Sequence, residues 1–478
     1  MKRVVVVGGG LSGLSAARAL LDEAQARGVD LGLTLVEKDT TLGGKIRSTR
    51  EDGFLCEAGP PGFLDNKPAT LALARRLGIE ERLLRSNDAA RKRFVFSDGR
   101  LQQLPEDPVS FLLSDLLSIR GRLRIAADFL LPQGDPSEDE SVASFVRRRL
   151  GQEALDKLID PMSAGIYAGD PNVMSLKSCF PKVWQIEQQF GGLIKGMLAL
   201  QQMAKARGQQ GPQGAGPGGA LWSFEEGAAE LPDRLAVSMP EANIVAGAAA
   251  AALERAEGGW RVRTDDGGVW DADAVLVATP AYDAGALLGP LDPELADLAF
   301  GIPYVPAAVV CLGYRTTDVP HPLDGFGFLI PRAEGRKILG SRWDSSTFAR
   351  RAPEGSALLT QIVGGARNPE LLALADDELL RVVQDEMRVT LGIEARPAYA
   401  KVVRWRRAIP QYLVGHGERL RRIEGRVSAL GGLFLGGNAY YGIGINDCTT
   451  HAAAVAPKVV TALGGGPAPE PPRGGPRL

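Results

Sequence analysis

The sequence predicts an α/β fold built on a parallel sheet, and three observations carry that prediction. Val4 to Val7 is a continuous β-branched run, as a strand buried on both faces requires. It ends directly in Gly8-Gly9-Gly10 and is followed by an alanine- and leucine-rich helical stretch over Leu14 to Leu21 and a second apolar run, Leu33 to Val36. Far downstream, Ala274 to Ala278 and Leu433 to Leu435 are further short apolar runs, the latter followed by Gly436 and Gly437. The first of these reads as a strand that rejoins the N-terminal sheet, so the parallel-sheet domain is expected to be discontinuous.

The turn after the first strand reads Gly8-Gly9-Gly10-Leu11-Ser12-Gly13, a G-x-G-x-x-G between strand and helix. Gly8 permits the tight turn, Gly10 lets the backbone approach a pyrophosphate, and Gly13 lets helix and strand pack closely. The helix N-terminus offers free N–H groups and a positive dipole end to phosphates. Glu37 closes the second strand, with Lys38 after it, and its carboxylate is placed to accept ribose hydroxyls. A second glycine pair, Leu42-Gly43-Gly44-Lys45, gives another stretch of backbone that can reach the same pyrophosphate, with Arg47 close by. The bland alternatives are a glycine turn with a surface glutamate, and a plain loop.

Composition bounds the rest. The chain has 478 residues, 45% of them hydrophobic, which suits two or three domains. Its 55 basic and 57 acidic residues nearly cancel, and no basic stripe points to nucleic acid. The three histidines, His321, His416 and His451, are too few for a histidine-rich metal site, and no metal is expected. Cys56, Cys179, Cys311 and Cys448 are far apart and form no C-x-x-C pair, so four reduced thiols are expected. The N-terminus lacks the features of a signal peptide, and no run of about 18 apolar residues occurs. A cytoplasmic protein is expected.

Residues 108–131 are apolar but carry Arg120, Arg122 and Arg124. They read either as amphipathic helices packed on a core or as a helix in a membrane interface. The glycine- and proline-rich stretch at 208–219 reads as a linker and the tail from Gly464 as disordered.

At this point the chain resembles the FAD-dependent amine oxidases, phytoene desaturases and protoporphyrinogen oxidases. Five segments narrow the resemblance to the last group: Glu57 through Gly59-Pro60-Pro61-Gly62 to Leu64, Gly165 to Asp170 (GIYAGD), Phe326 to Leu329, Ile409 to Tyr412 with Gly415-His416, and Gly442 to Cys448. The departures are Lys45, where the family has arginine, and Pro61-Gly62. The resemblance covers residues 1 to about 463.

What it implies is a Rossmann-like FAD-binding domain (1–86, 222–282 and 405–463), a mixed-sheet substrate domain (87–96 and 283–404) and a helical, membrane-associating domain (97–205), with a linker at 206–221 and a disordered tail at 464–478. It implies that Gly59 to Gly62, Trp405 and Ile443-Gly444-Ile445 contact the flavin region, with Ala250 contacting adenine through its backbone. For Trp405, plain core packing is the equal alternative. Arg93 aligns with an arginine that pairs with a substrate propionate, a bond suited to a planar guanidinium. A solvated basic cluster is the alternative there. Phe326, Gly327, Leu329 and Ile362 fall where the family lines its substrate slot.

The implied activity is oxygen-dependent, six-electron oxidation of protoporphyrinogen IX to protoporphyrin IX in haem biosynthesis, with hydride passing to FAD and hydrogen peroxide as by-product. Coproporphyrinogen III oxidation and a flavin amine oxidase are the enzymatic alternatives, and a non-catalytic binder is the other class. The implied partners are the tetrapyrrole, oxygen and the inner face of the cell membrane. Contact with a ferrochelatase is a further candidate for which no residue provides a signal.

Overall fold

The four valines of the first strand alternate between two cores. In the computed structural model of the chain, which describes residues 1–105, 116–206 and 219–466, Val4 and Val6 face one apolar cluster and Val5 and Val7 the other. A five-stranded sheet results, in the order β10 (Asn243–Ala246), β2 (Leu31–Glu37), β1 (Lys2–Val7), β14 (Ala274–Val277), β20 (Leu433–Leu435). All four pairings are parallel. Helices Leu11–Ala26 and Ile445–Ala462 pack together on the first face.

The second large sheet is mixed. Its seven strands run β19 (Tyr399–Pro410), β15 (Tyr304–Arg315), β18 (Ser356–Gly364), β17 (Ile338–Trp343), β16 (Gly327–Leu329), β7 (Arg93–Ser97), β8 (Arg100–Gln103). Only β16 and β7 pair in parallel; the other neighbours are antiparallel. One face covers a core of Phe96, Phe328, Trp343, Leu359 and Val363 under helix Asp376–Leu391. Three small sheets complete the strands: β3 (Ser48–Glu51) with β4 (Phe54–Glu57); β5 (Phe63–Leu64), β9 (Leu221–Phe224) and β6 (Leu83–Arg85); and β11 (Ala250–Ala256), β12 (Gly259–Thr264) and β13 (Val269–Ala272).

Between β8 and β9 the described chain is helical. Helices Val142–Arg149, Asp160–Tyr167, Pro181–Phe190 and Leu193–Ala206 surround an apolar cluster that includes Phe145, Tyr167 and Met174. Arg149 and Asp128, both fully buried, pair at 2.5 Å and fix segment 127–130 onto this helical region. A buried pair of this kind is costly to break, because either partner alone would leave an uncompensated charge.

Several expectations are corrected. Helical structure does not begin at residue 97: Asp98 and Gly99 adopt left-handed conformations and turn the chain back into β8, which extends the mixed sheet. Nor does the parallel-sheet domain resume at residue 405, which lies inside β19, a strand that continues to Pro410. The linker expected at 206–221 ends earlier, since the Ala220 amide donates to Asp65 at 2.9 Å and Leu221 starts β9. The first tail residues are tied down, with the Gly465 amide on the Val460 carbonyl and Arg27 on the Gly466 carbonyl, both at 3.0 Å. Residues 108–115, 207–218 and 467–478, on which the remaining readings of these segments fall, lie outside the described residues. Finally, Cys56 and Cys311 are joined in a disulfide across 255 residues, so four reduced thiols is wrong for this pair. Chain spacing hid it because β4 packs against β15 in a separate cluster with Phe54, Val309 and Tyr399.

Candidate active site

The carboxyl ends of β1, β2 and β14 build a backbone cradle. Gly8 turns the chain at a φ of +109°, and a side chain on Gly13 would run into the Gly8 carbonyl. The first helical bond runs from the Leu14 amide to the Gly10 carbonyl at 3.0 Å, so the preceding amides of that helix remain for a ligand. The second glycine pair lies against the first: Gly10 and Gly43 form a parallel bridge, and the Gly43 amide donates to Gly9 at 2.8 Å. Leu11 enters the core, while Ser12 faces Cys448, whose thiol burial pushes up to about 11 despite that hydroxyl. Thr279 adds a buried hydroxyl without a partner among the described residues, beside Gly8. Bare glycine backbone, open helix amides and an orphan hydroxyl at one sheet edge fit a dinucleotide pyrophosphate.

Glu37 is buried at this edge. Its carboxylate accepts the Gly9 amide at 2.5 Å and the Asp39 amide at 2.9 Å. The segment beyond the linker meets it through Ala248, whose amide donates to the Glu37 carbonyl at 2.9 Å; Ala250 lies further on, in β11 opposite Thr264. Lys38 turns outward to Asp283 at 3.0 Å. Lys45 turns inward, donates to the Ala408 carbonyl at 2.6 Å and stands 5.3 Å over the Tyr304 ring; burial holds its ammonium down at about 8. Arg47 bonds the Gly44 carbonyl at 2.8 Å and faces the Trp405 ring, whose indole N–H donates to Ala58 at 2.7 Å. Gly59 closes on the Lys45 carbonyl and Gly62 on that of Trp222, while Ser223 bonds the Pro61 carbonyl at 2.7 Å and Pro60 is exposed. Gly444 caps helix Ile445–Ala462; Ile445 packs in the parallel-sheet core and Ile443 against the helical region.

Four expected substrate residues, Arg93, Gly327, Leu329 and Ile362, fall on one face of the mixed sheet, and Phe326 directly precedes β16. Gly327 lies opposite Arg93 in the parallel pair β16–β7, and the Arg93 guanidinium sits 5.6 Å from the Phe326 ring. One row then crosses the sheet: Val95, Leu329, Gly340, Ile362, Val309. Residues opposite one another share a face, and at Gly340 the Phe328 carbonyl and the Leu329 side chain take the place of a Cβ. Gly327, at a φ of +136°, is bare on the same face because the Ser341 carbonyl occupies the place of a Cβ. Gly165, on helix Asp160–Tyr167, lies over Leu329, and Ala164, Ala168 and Leu339 pack with Ile362 and Ile409. The result is an apolar strip closely packed at its glycines, with Arg93 near its end.

This arrangement has known counterparts. The family model for flavin-containing amine oxidoreductases matches residues 11–460. The chain belongs to that family. Coproporphyrinogen III oxidase of Bacillus subtilis is 32% identical over 97% of this chain and 98% of its own length. Protoporphyrinogen oxidase 1, chloroplastic, of Arabidopsis thaliana is 34% identical over 95% of this chain and 87% of its own. A crystal structure titled as a putative protoporphyrinogen oxidase from Exiguobacterium sp. 255-15 superimposes with a TM-score of 0.82 at 29% identity, covering 97% and 99% of the two chains.

As a member of this family, the chain is an FAD-dependent oxidoreductase. Gly340 and Thr279 were not legible beforehand: a lone glycine in a strand and a threonine after one carry no local signature. Glu57, the first residue of the segment that runs to Leu64, carries no signal of its own in the sequence. It is 1% exposed, accepts Ser48 at 2.6 Å and the Ala228 amide at 2.9 Å, and has Arg351 at 3.9 Å. Burial nevertheless pushes its carboxyl up to about 7.

Proposed function

We propose that this protein oxidises protoporphyrinogen IX to protoporphyrin IX, six electrons leaving in three two-electron steps, in haem biosynthesis. The observation that supports this most is the apolar strip of Leu329, Gly340 and Ile362 ending at Arg93. A flat, greasy macrocycle with anionic arms needs a slot and a cation, and it needs no catalytic triad. Arg93 would bind a propionate, and Phe326, Gly327, Leu329 and Ile362 would line the slot for the ring. Glu37, the glycines at 8–13 and 43–44, Lys45 and residues 59–62, Ala250, Trp405 and 443–445 would hold the cofactor. FAD, when bound, supplies the hydride acceptor, with dioxygen as the final oxidant and hydrogen peroxide as its product. Pyrrole protons can leave through water, so no side-chain base is required.

A second reading is oxidation of coproporphyrinogen III, favoured by the relative from Bacillus subtilis that matches nearly end to end. Anaerobic mixing with each porphyrinogen, followed by flavin bleaching, separates the two. Rapid bleaching by protoporphyrinogen is expected; faster bleaching by coproporphyrinogen transfers the assignment, and bleaching by neither removes it.

Peripheral attachment to the inner face of the cell membrane belongs to the same proposal. Ile119, Leu123, Phe129 and Leu130 are 70%, 67%, 48% and 84% exposed, and Met197, Leu198 and Met203 extend the apolar surface from the neighbouring helix. Lys195 lies over Phe129, and Arg120 is exposed beside Ile119, a composition suited to an anionic interface. Among the described residues no helix is long and apolar enough to cross a membrane. Flotation with anionic liposomes at low salt tests this, and protein left in the soluble fraction would remove it.

A further inference from the structure

Tyr412 reaches from the helical region into the turn that precedes helix Ile445–Ala462. Its hydroxyl donates to the Asn438 carbonyl at 2.6 Å and accepts the Gly442 amide at 2.8 Å. One phenol oxygen thereby closes the loop between β20 and that helix. The loop is bounded by Gly437 and Gly442, at φ of +111° and +117°, so its ends follow a path that a side-chain-bearing residue rarely takes. At its other end, the Tyr412 carbonyl accepts the Ser175 amide at 2.8 Å and the Cys179 thiol at 3.4 Å. Neighbouring Gln411 donates to the Tyr167 carbonyl at 2.9 Å, beside Ala168 in its left-handed conformation. The ring is 2% exposed and lies flat on His416, at 4.1 Å between centroids and 15° between planes. Burial lowers the His416 imidazole to about 4, which keeps the stack neutral, and its Nε2 has no hydrogen-bond partner among the described residues.

We infer that Tyr412 is a positioning residue for the flavin, setting the place of residues 442–445 and of the helix N-terminus behind them. The inference rests on the reading of residues 443–445 as the flavin-facing turn. The physical consequence is electrostatic. A helix N-terminus stabilises negative charge within about one turn of its end, and a reduced flavin carries more negative charge than an oxidised one. A turn released from Tyr412 would let that end drift, which weakens cofactor binding and makes reduction harder.

Tyr412→Phe removes the hydroxyl and keeps the stacked ring. In the purified holoprotein the variant is expected to lose FAD affinity by roughly tenfold, the cost of leaving a buried amide and carbonyl unpaired. The flavin midpoint potential should shift negative and the visible flavin band should change shape. kcat should fall while KM for the porphyrinogen stays at the wild-type value. Wild-type affinity, spectrum and potential overturn the inference, even if thermal stability drops, since a purely structural tyrosine would do no more than that. A raised KM at unchanged kcat also overturns it and puts the side chain at the substrate. Should Tyr412→Phe fail to fold, His416→Ala decides: loss of the stack should move potential and FAD affinity in the same directions by a smaller factor, and unchanged values overturn the inference. A colourless wild-type protein would instead defeat the flavin reading, and is scored before either variant is made.

Discussion

The parallel sheet and the mixed sheet each present functional backbone, but they assemble it differently. In the parallel sheet, Gly8, Gly10, Gly13, Glu37 and Gly43 come from one short stretch of chain, and three of these glycines are demanded locally: a positive φ at Gly8 and at Gly43, the Gly8 carbonyl at Gly13. In the mixed sheet, the row from Val95 through Leu329 and Gly340 to Ile362 comes from four separated strands, and register alone brings its members together. The difference teaches that a cradle made of local geometry is written in one stretch of chain, whereas a face made by register exists only once its cross-strand neighbours are set.

The largest expected effect breaks the cradle. Gly13→Ala places a methyl group on the Gly8 carbonyl, so helix and strand must separate; the purified variant should carry no flavin. A yellow variant with full cofactor content would show that the cradle does not depend on Gly13. Next, Glu37→Ala is expected to weaken FAD binding by roughly 1.5–3 kcal/mol through lost charge-assisted hydrogen bonds, read by cofactor titration of the apoprotein. Unchanged affinity would take the ribose away from Glu37.

Arg93→Ala tests the other side of the comparison. A propionate contact made equally in ground and transition states should appear mainly as a rise in KM, roughly tenfold, with flavin content unchanged. Arg93→Lys should recover part of the loss, since a point charge replaces a fork. Lost flavin in a folded Arg93→Ala protein would move this arginine to the cofactor and blur the division between the two sheets.

The smallest effect concerns Glu57, on β4 between the two sheets. Its folded pKa of about 7 lies above its ordinary value of 4.5. The native state therefore holds a proton that the unfolded chain releases across this window, and stability falls as pH rises from 4.5 to 7. Glu57→Gln should remove that slope and raise Tm by a few degrees at pH 8 relative to wild type, with little change at pH 5. A thermal series over that range with parallel profiles for the two proteins would show that Glu57 is ionised throughout.

The same contrast explains what could be read from the chain. The sequence by itself determined the βαβ unit, the glycine turn and the carboxylate at the end of β2, because strand, turn and helix each have a local period or a residue that only one conformation accepts. It also supplied the return of Ala274–Val277 to the first sheet, since a wholly apolar strand must be buried on both faces. The resemblance supplied Arg93 and Leu329, while only the tertiary structure set Leu329 beside Gly340 and Gly165. A glycine in a strand has no pattern until its cross-strand neighbours are known. Tertiary packing likewise decided the continuation into β8, the Cys56–Cys311 link, the orphan hydroxyl of Thr279 and the reach of Tyr412 to Gly442. Apart from the β7–β8 hairpin, which is local, these are relations between separated segments of the chain, fixed by how the elements pack and by no property of one residue alone.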